Sequence, residues 1–174
     1  MRILRYLWFH FIMAATAWLP DLRPILRLRG FLARPAFKRC GKNLQVARRV
    51  TINFTNCLEI GSDVYVATGC WLHARGGIVL EDGVQLGPYS VLVTGDHTQS
   101  EGSYRFWPSR LAPIRVGRGA WIAAHATVMR GVVIGQGALL AANSAATHDV
   151  PPFAVAGGVP ARVICEKTQL AVAR

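Results

Sequence analysis

His97 is the residue of this chain best placed to move a proton. It closes the tetrapeptide Thr94-Gly95-Asp96-His97, after which a regular apolar pattern is interrupted over residues 98–113. An imidazole with an ordinary pKa of about 6.5 is largely neutral near pH 7, and a general base of that kind contributes roughly 10² to 10⁴ in rate. Asp96, Glu101 or a backbone carbonyl are the candidates to orient its ring, and Tyr104, Arg105 and Trp107 add further polar and aromatic groups to the interruption. There is no Gly-x-Ser-x-Gly elbow and no Cys–His pairing to suggest a covalent intermediate.

The elements that must hold His97 repeat every six residues. Val46 and Ile52, then Ile60, Val66 and Leu72, then Leu80, Leu86 and Leu92, then Val116, Ile122, Val128, Ile134 and Leu140 keep that step within each block. Six residues turn an α-helix by about 600°, so no helix keeps such a register on one face. Three short strands per turn do: each step forms one side of a triangular prism, the apolar residue points inward, and stacked turns share one core. The segments starting at Leu58, Ile78, Ile114 and Val132 lie 20, 36 and 18 residues apart. That spacing reads as a period of 18 with a two-residue insertion once and one whole extra turn beginning at His97. The other histidines of the repeat, His73, His125 and His148, fall at different phases and do not stack on one another or on His97.

The chain has 20 Lys+Arg against 9 Asp+Glu, but the excess is local. Residues 1–50 hold eleven basic residues and one acid, Asp21, a net of +10, leaving +1 for the remainder. No zinc spacing, RNA-binding signature or basic heptad accompanies that charge, which argues against nucleic acid. A basic arm joined to an apolar segment suits anionic lipid, at about 1 kcal/mol per basic residue near the surface. The apolar run Tyr6 to Leu19 is shorter than the roughly 20 residues of a membrane span. Ala15-Thr16-Ala17 resembles a signal cleavage site, but Trp8, His10 and the basic segment that follows favour an uncleaved interfacial helix. Asp21 is expected to cap a second helix with Pro24 in its first turn. Leu22, Ile25, Leu26 and Leu32 would share its apolar face, with Arg23, Arg27 and Arg34 turned away, as suits a helix lying in the membrane plane, one capping the end of the domain core, or both. Cys40, Cys57, Cys70 and Cys165 have no metal-ligand spacing and read as free thiols packed as small apolar residues, which suits a reducing compartment.

The hexad ladder, the histidine followed by an excursion, Trp121 and the closing Gly157-Gly158-Val159-Pro160-Ala161-Arg162-Val163-Ile164 resemble the hexapeptide-repeat acyltransferases. The likeness covers about residues 40–165 and is nearest to exopolysaccharide O-acetyltransferases of the colanic acid type, with the galactoside and maltose O-acetyltransferases more distant. It implies an all-β, left-handed parallel β-helix over residues 40–165, an amphipathic helical segment at 1–39 and a tail at 166–174. It also implies a homotrimer that moves an acetyl group from acetyl-CoA to a sugar hydroxyl without a metal, acetyl-CoA lying in a groove between neighbouring prisms. By the same resemblance His97 is the base and the Ala124 backbone N–H the oxyanion donor. Trp121 flanks the thioester, Ala142 meets the pantetheine arm, and Arg162, with Thr147 and His148, serves the nucleotide end. Sugar acetyltransferases commonly have Thr-Lys-Asp where this chain has Thr147-His148-Asp149, a departure at that contact. The asparagine that helps hold the sugar in galactoside-type relatives aligns near Ala67, so acceptor contacts are sought in Asp96, Glu101 and Tyr104 instead.

The expected setting is cytoplasmic, peripheral on the inner face of the membrane, with a saccharide acceptor that is free or lipid-linked. Two other readings stand beside it: a soluble acetyltransferase of small sugars or xenobiotics, and a zinc enzyme on the same fold like the γ-class carbonic anhydrases.

Overall fold

A computed structural model describes residues 2–105 and 108–166. Its body is a parallel β-helix of three faces. Face A stacks Arg39–Cys40, Leu58–Ile60, Ile78–Leu80, Ile114–Val116 and Val133–Ile134. Face B stacks Gln45–Val46, Tyr65–Val66, Gln85–Leu86, Trp121–Ile122, Leu139–Leu140 and Ala154–Gly158, then ends in an antiparallel return, Ala161–Glu166. Face C stacks Thr51–Asn53, Trp71–His73, Val91–Val93, Thr127–Val128 and Ala145–Ala146. One inward column runs up each face: Ile60, Leu80, Val116 and Ile134 on A, Val46, Val66, Leu86, Ile122 and Leu140 on B, and Ile52, Leu72, Leu92, Val128 and Ala146 on C, all of them buried. These columns are the six-residue ladder, so burial follows the sequence pattern and each large apolar side chain contributes about 1.5–3 kcal/mol of transfer free energy.

The repeat itself differs from a plain period of 18. Successive coils are offset by 20, 20, 36 and 18 residues, as in Cys40, Ile60, Leu80, Val116 and Ile134. The two-residue insertion therefore occurs twice. From face A to face B and from B to C the inward residues are always six apart. Every departure lies at the edge where face C turns into face A: eight residues from Ile52 to Ile60, eight from Leu72 to Leu80, and 24 from Leu92 to Val116. All the irregular chain thus projects from one edge of the prism. The excursion leaves and returns through an antiparallel pair, Gly95–Asp96 with Arg110–Leu111.

The N-terminal arm lies against the prism. Helix α1 (Arg2–Ala15) buries Phe9, Ile12 and Met13, and Phe9 meets Phe37 with ring centroids 5.7 Å apart. Helix α2 (Arg23–Ala33) starts after Leu22 with no side-chain cap. Asp21 does not cap it, because its carboxylate is engaged by Arg29 at 2.6 Å and by the backbone N–H of Arg48 at 3.1 Å. The buried face of α2 also differs from the apolar stripe read in the sequence: Leu26, Arg29, Gly30 and Ala33 face inward, while Leu22 is exposed. Arg29 is 0% exposed. Its guanidinium donates to Asp21, to the Thr16 hydroxyl and carbonyl, and to the Leu19 carbonyl, so the turn between the helices wraps around one satisfied charge. No described helix is long and apolar enough to cross a membrane.

Candidate active site

The edge between faces B and C carries the main-chain donors. The first turn residue there forms a column of Arg48, Thr68, Pro88, Ala124 and Ala142, one per coil and about 4.8 Å apart. Arg48 N–H donates to Asp21, and Pro88 has no N–H to give. Those of Thr68, Ala124 and Ala142 donate to no group among the described residues, although the next residues His125 and Asn143 bond to Pro88 and Ala124 carbonyls at 2.9 and 3.0 Å. Gly87 permits this close stacking: a Cβ there would lie 2.7 Å from the Ala124 nitrogen. The following column is left-handed, with φ of 57° at each of Tyr89, His125 and Asn143, and the Tyr89 and His125 rings stack 5.1 Å apart. Trp121 stands outward on face B, 48% exposed, in register with Gln85 and Leu139. Arg162 lies on the terminal return opposite Gly157, next to Gly158, whose N–H donates to Ser144 at 3.0 Å. Trp121, Ala124, Ala142 and Arg162 therefore line one edge of the prism.

His97 belongs to the edge between faces C and A. It is exposed, one residue beyond the strand pair that roots the excursion. Asp96 turns to Arg130 and forms an ion pair with its Nε, fastening the excursion to the coil above. Glu101 and Tyr104 are exposed farther out, where Ser100 and Ser103 close a tight turn through two backbone hydrogen bonds of 3.0 and 2.9 Å. Trp107 lies outside the described residues, as does the tail beyond Glu166. Thr147 and His148 end face C two coils above His97's coil and bond each other, Oγ1 to Nδ1, at 3.0 Å. They sit at the opposite end of face C from Ala142, so one chain does not bring the nucleotide-end residues together.

Two amides at this edge, Asn53 and Asn56 at the first inserted corner, were not singled out from the sequence, whereas Ala67 is buried at the other end of face C. His73 lies behind Phe54, ring centroids 5.2 Å apart, and its Nδ1 is buried with no hydrogen-bond partner. Burial lowers its pKa below 6.5, and the positive Arg75 adds to that shift. The signal for these residues was the eight-residue step from Ile52 to Ile60, where the ladder calls for six.

Burial raises the Cys70 and Cys40 pKa values, with Cys70 Sγ 3.1 Å from the Gly87 carbonyl. Cys165 is exposed, so the expectation of four packed thiols holds only in part. Among the described residues no group of three His, Cys, Asp or Glu is placed to hold a metal ion.

A parallel β-helix with these corners, this excursion and this closing hairpin is the architecture of the hexapeptide-repeat acetyltransferases that the chain resembles. The chain is 29% identical over 163 residues to the putative colanic acid biosynthesis acetyltransferase WcaF of Escherichia coli K12, covering 94% of this chain and 87% of that one. It is also 29% identical over 138 residues to the galactoside O-acetyltransferase of the same organism, covering 79% and 68%. Among solved structures, a galactoside acetyltransferase in complex with coenzyme A superposes with a TM-score of 0.82 at 26% identity, over 94% of this chain and 81% of that one. A hexapeptide-repeat acetyltransferase from Vibrio cholerae, solved with acetyl coenzyme A, gives 0.82 at 24% identity over 94% and 87%, a likeness of fold. No family model matches the chain.

Proposed function

We propose that this enzyme transfers an acetyl group from acetyl-CoA to a sugar hydroxyl in the assembly of a surface or extracellular polysaccharide. The coenzyme A and acetyl-CoA complexes of its structural neighbours support the donor, and the likeness to a colanic acid acetyltransferase supports the acceptor class. The hydroxyl oxygen attacks the thioester carbonyl, His97 takes its proton, and the oxyanion is met by the Ala124 N–H. Collapse forms the ester and expels the coenzyme A thiolate, which recovers the proton from the imidazolium. Trp121, Ala142 and Arg162 hold the donor along their common edge, with Thr147 and His148 reaching it from a neighbouring copy. Asp96, Glu101 and Tyr104 border the acceptor.

One observation carries this arrangement. His97 and the free N–H of Ala124 stand at opposite ends of face C, up to about 20 Å apart along the six residues from Ala124 to Arg130. Base and donor must both come within about 3 Å of the reacting groups, which one chain cannot arrange. A second copy, in a closed ring such as a trimer, brings the His97 edge of one prism to the Ala124 edge of the next. His97→Ala should lower acetyl transfer 10²-fold or more with fold and assembly unchanged. Unaltered turnover in that variant refutes the role.

The setting is the cytoplasmic face of the membrane. The support is an exposed apolar strip of Leu4, Leu7, Trp8 and Phe11 on α1 with Leu28 and Phe31 on α2, within the first 50 residues, whose net charge is +10. Deleting residues 1–39 would uncover core around Phe9, so the informative variant is Leu7→Ser/Phe11→Ser/Phe31→Ser. It should lose co-sedimentation with anionic vesicles at full soluble activity. Retained co-sedimentation argues against the strip.

A further inference from the structure

Between α1 and the C-to-A edge lies a cleft of about 880 Å³ that the acetyl-transfer chemistry leaves unused. Arg2 and Ile3 of α1, Phe54 and Asn56 of the first inserted corner, Arg75 of the second and Leu111 of the excursion line it. Both arginines stand outside the ion pairs found among the described residues, and no acid lines the cleft. The contrast with the cleft at the A-to-B edge is plain, since Glu59, Glu81 and Asp82 there face Arg39 and Arg118. Arg75 also stands over the Phe54 ring, 6.0 Å from its centroid, a position that keeps its guanidinium against an apolar wall. Two unpaired guanidiniums beside apolar side chains select a phosphate, whose oxygens accept their forked donors.

The rest of the cleft selects what the phosphate is attached to. Ile3 both lines it and opens onto the exposed apolar strip of α1, so its apolar wall runs without a break to Leu4 and Leu7. A water-soluble sugar phosphate has no use for that continuity, whereas an aliphatic chain does. At the other end the cleft reaches the base: Leu111 pairs with Gly95, two residues before His97, and Phe54 rests on His73.

We infer that this cleft anchors the acceptor, a saccharide carried on a lipid phosphate. Arg2 and Arg75 hold the phosphate, Ile3, Phe54 and Leu111 take the first part of the lipid chain, and the sugar extends past Asn53 and Asn56 toward His97. The direction of the sugar rests on the acetyl-transfer reading; the phosphate and lipid contacts do not.

The test is equilibrium binding of a radiolabelled polyprenyl phosphate, in neutral detergent micelles, to the full chain. The phosphate ester should bind at least tenfold more tightly than the uncharged polyprenol, and inorganic phosphate at equal concentration should not displace it. Arg75→Gln and Leu111→Ser should each weaken binding about fivefold or more, with unchanged thermal unfolding, while Lys42→Gln on the far edge leaves it intact. Equal affinity for polyprenol, displacement by inorganic phosphate, or wild-type binding by Arg75→Gln overturns the assignment. Acetyl transfer to free saccharides is followed separately. Transfer without lipid-phosphate binding removes the cleft and leaves the reaction; binding without any transfer does the reverse.

Discussion

If each active site takes its base from one copy and its oxyanion donor from the next, two inactive variants must rescue each other. The first is His97→Ala. The second is Ala124→Pro, which removes only an N–H, and the turn tolerates proline because Pro88 occupies the same column one coil below. Losing one such donor costs about 10²- to 10³-fold, and losing the base about 10²- to 10⁴-fold. In a ring assembled at random from equal amounts of the two, a site is intact when its base comes from the proline variant and its donor from the alanine variant. Each condition is met half the time, so about one quarter of all sites are restored, whatever the number of copies in the ring. Co-expression with two affinity tags, purification of mixed assemblies and an acetyl-CoA turnover assay would read this directly. Every mixed trimer holds one restored site in three, so activity near a third of wild type in the purified mixed assemblies, against 1% or less for either parent, is the expected result. Mixed assemblies no more active than the parents would refute an active site shared between copies.

The arm and the inserted corner yield two more expectations. Asp21→Ala leaves the fully buried Arg29 without its carboxylate and frees the Arg48 N–H, and should cost about 3–5 kcal/mol in denaturant unfolding; Asp21→Asn should cost less because it keeps an acceptor. His73 has a folded pKa depressed below 6.5 by burial, so its neutral form is preferred in the native state. The unfolded chain then binds the proton first, and stability falls as pH drops from about 6.5 through the lower folded value. Comparing unfolding midpoints at pH 7.5 and 5 should show a smaller acid loss in His73→Phe than in wild type. An identical loss would show that the ring's burial does not set the window.

The prism and its proposed base were legible because both depend on spacing along the chain. Inward positions such as Leu80, Leu86 and Leu92 are six apart and buried, and His97 stands where that count fails. The arm was not legible in the same way. A helical wheel places Arg29 on the same face as Leu22, Ile25 and Leu26, where a charge argues against burial, yet it is buried because carbonyls of Thr16 and Leu19, from the preceding turn, curl around it. That arrangement depends on the fold of a turn ten or more residues away and leaves no period in the sequence. Asp21 similarly has the chemistry of a cap, but two arginines compete for it at a distance a local rule does not see. The shared location of the insertions lay between these cases: the breaks after Ile52, Leu72 and Leu92 were countable, but their convergence on a single edge became visible only once the faces were assigned.

That convergence separates two tasks that most enzymes entangle. Two edges of the prism are held to six-residue steps, and they alone keep the coils in register; the third accepts connections of 8, 8 and 24 residues without disturbing it. Tripling a flexible connection from 8 to 24 residues costs only about 1 kcal/mol in closure entropy, less than burying one more leucine returns. That edge can therefore be lengthened, shortened or exchanged as a cassette without disturbing the register. If the acceptor lies there as proposed, substrate range on this scaffold is a matter of what is spliced into one corner, and a graft at residues 94–113 changes substrate while asking almost nothing of the fold.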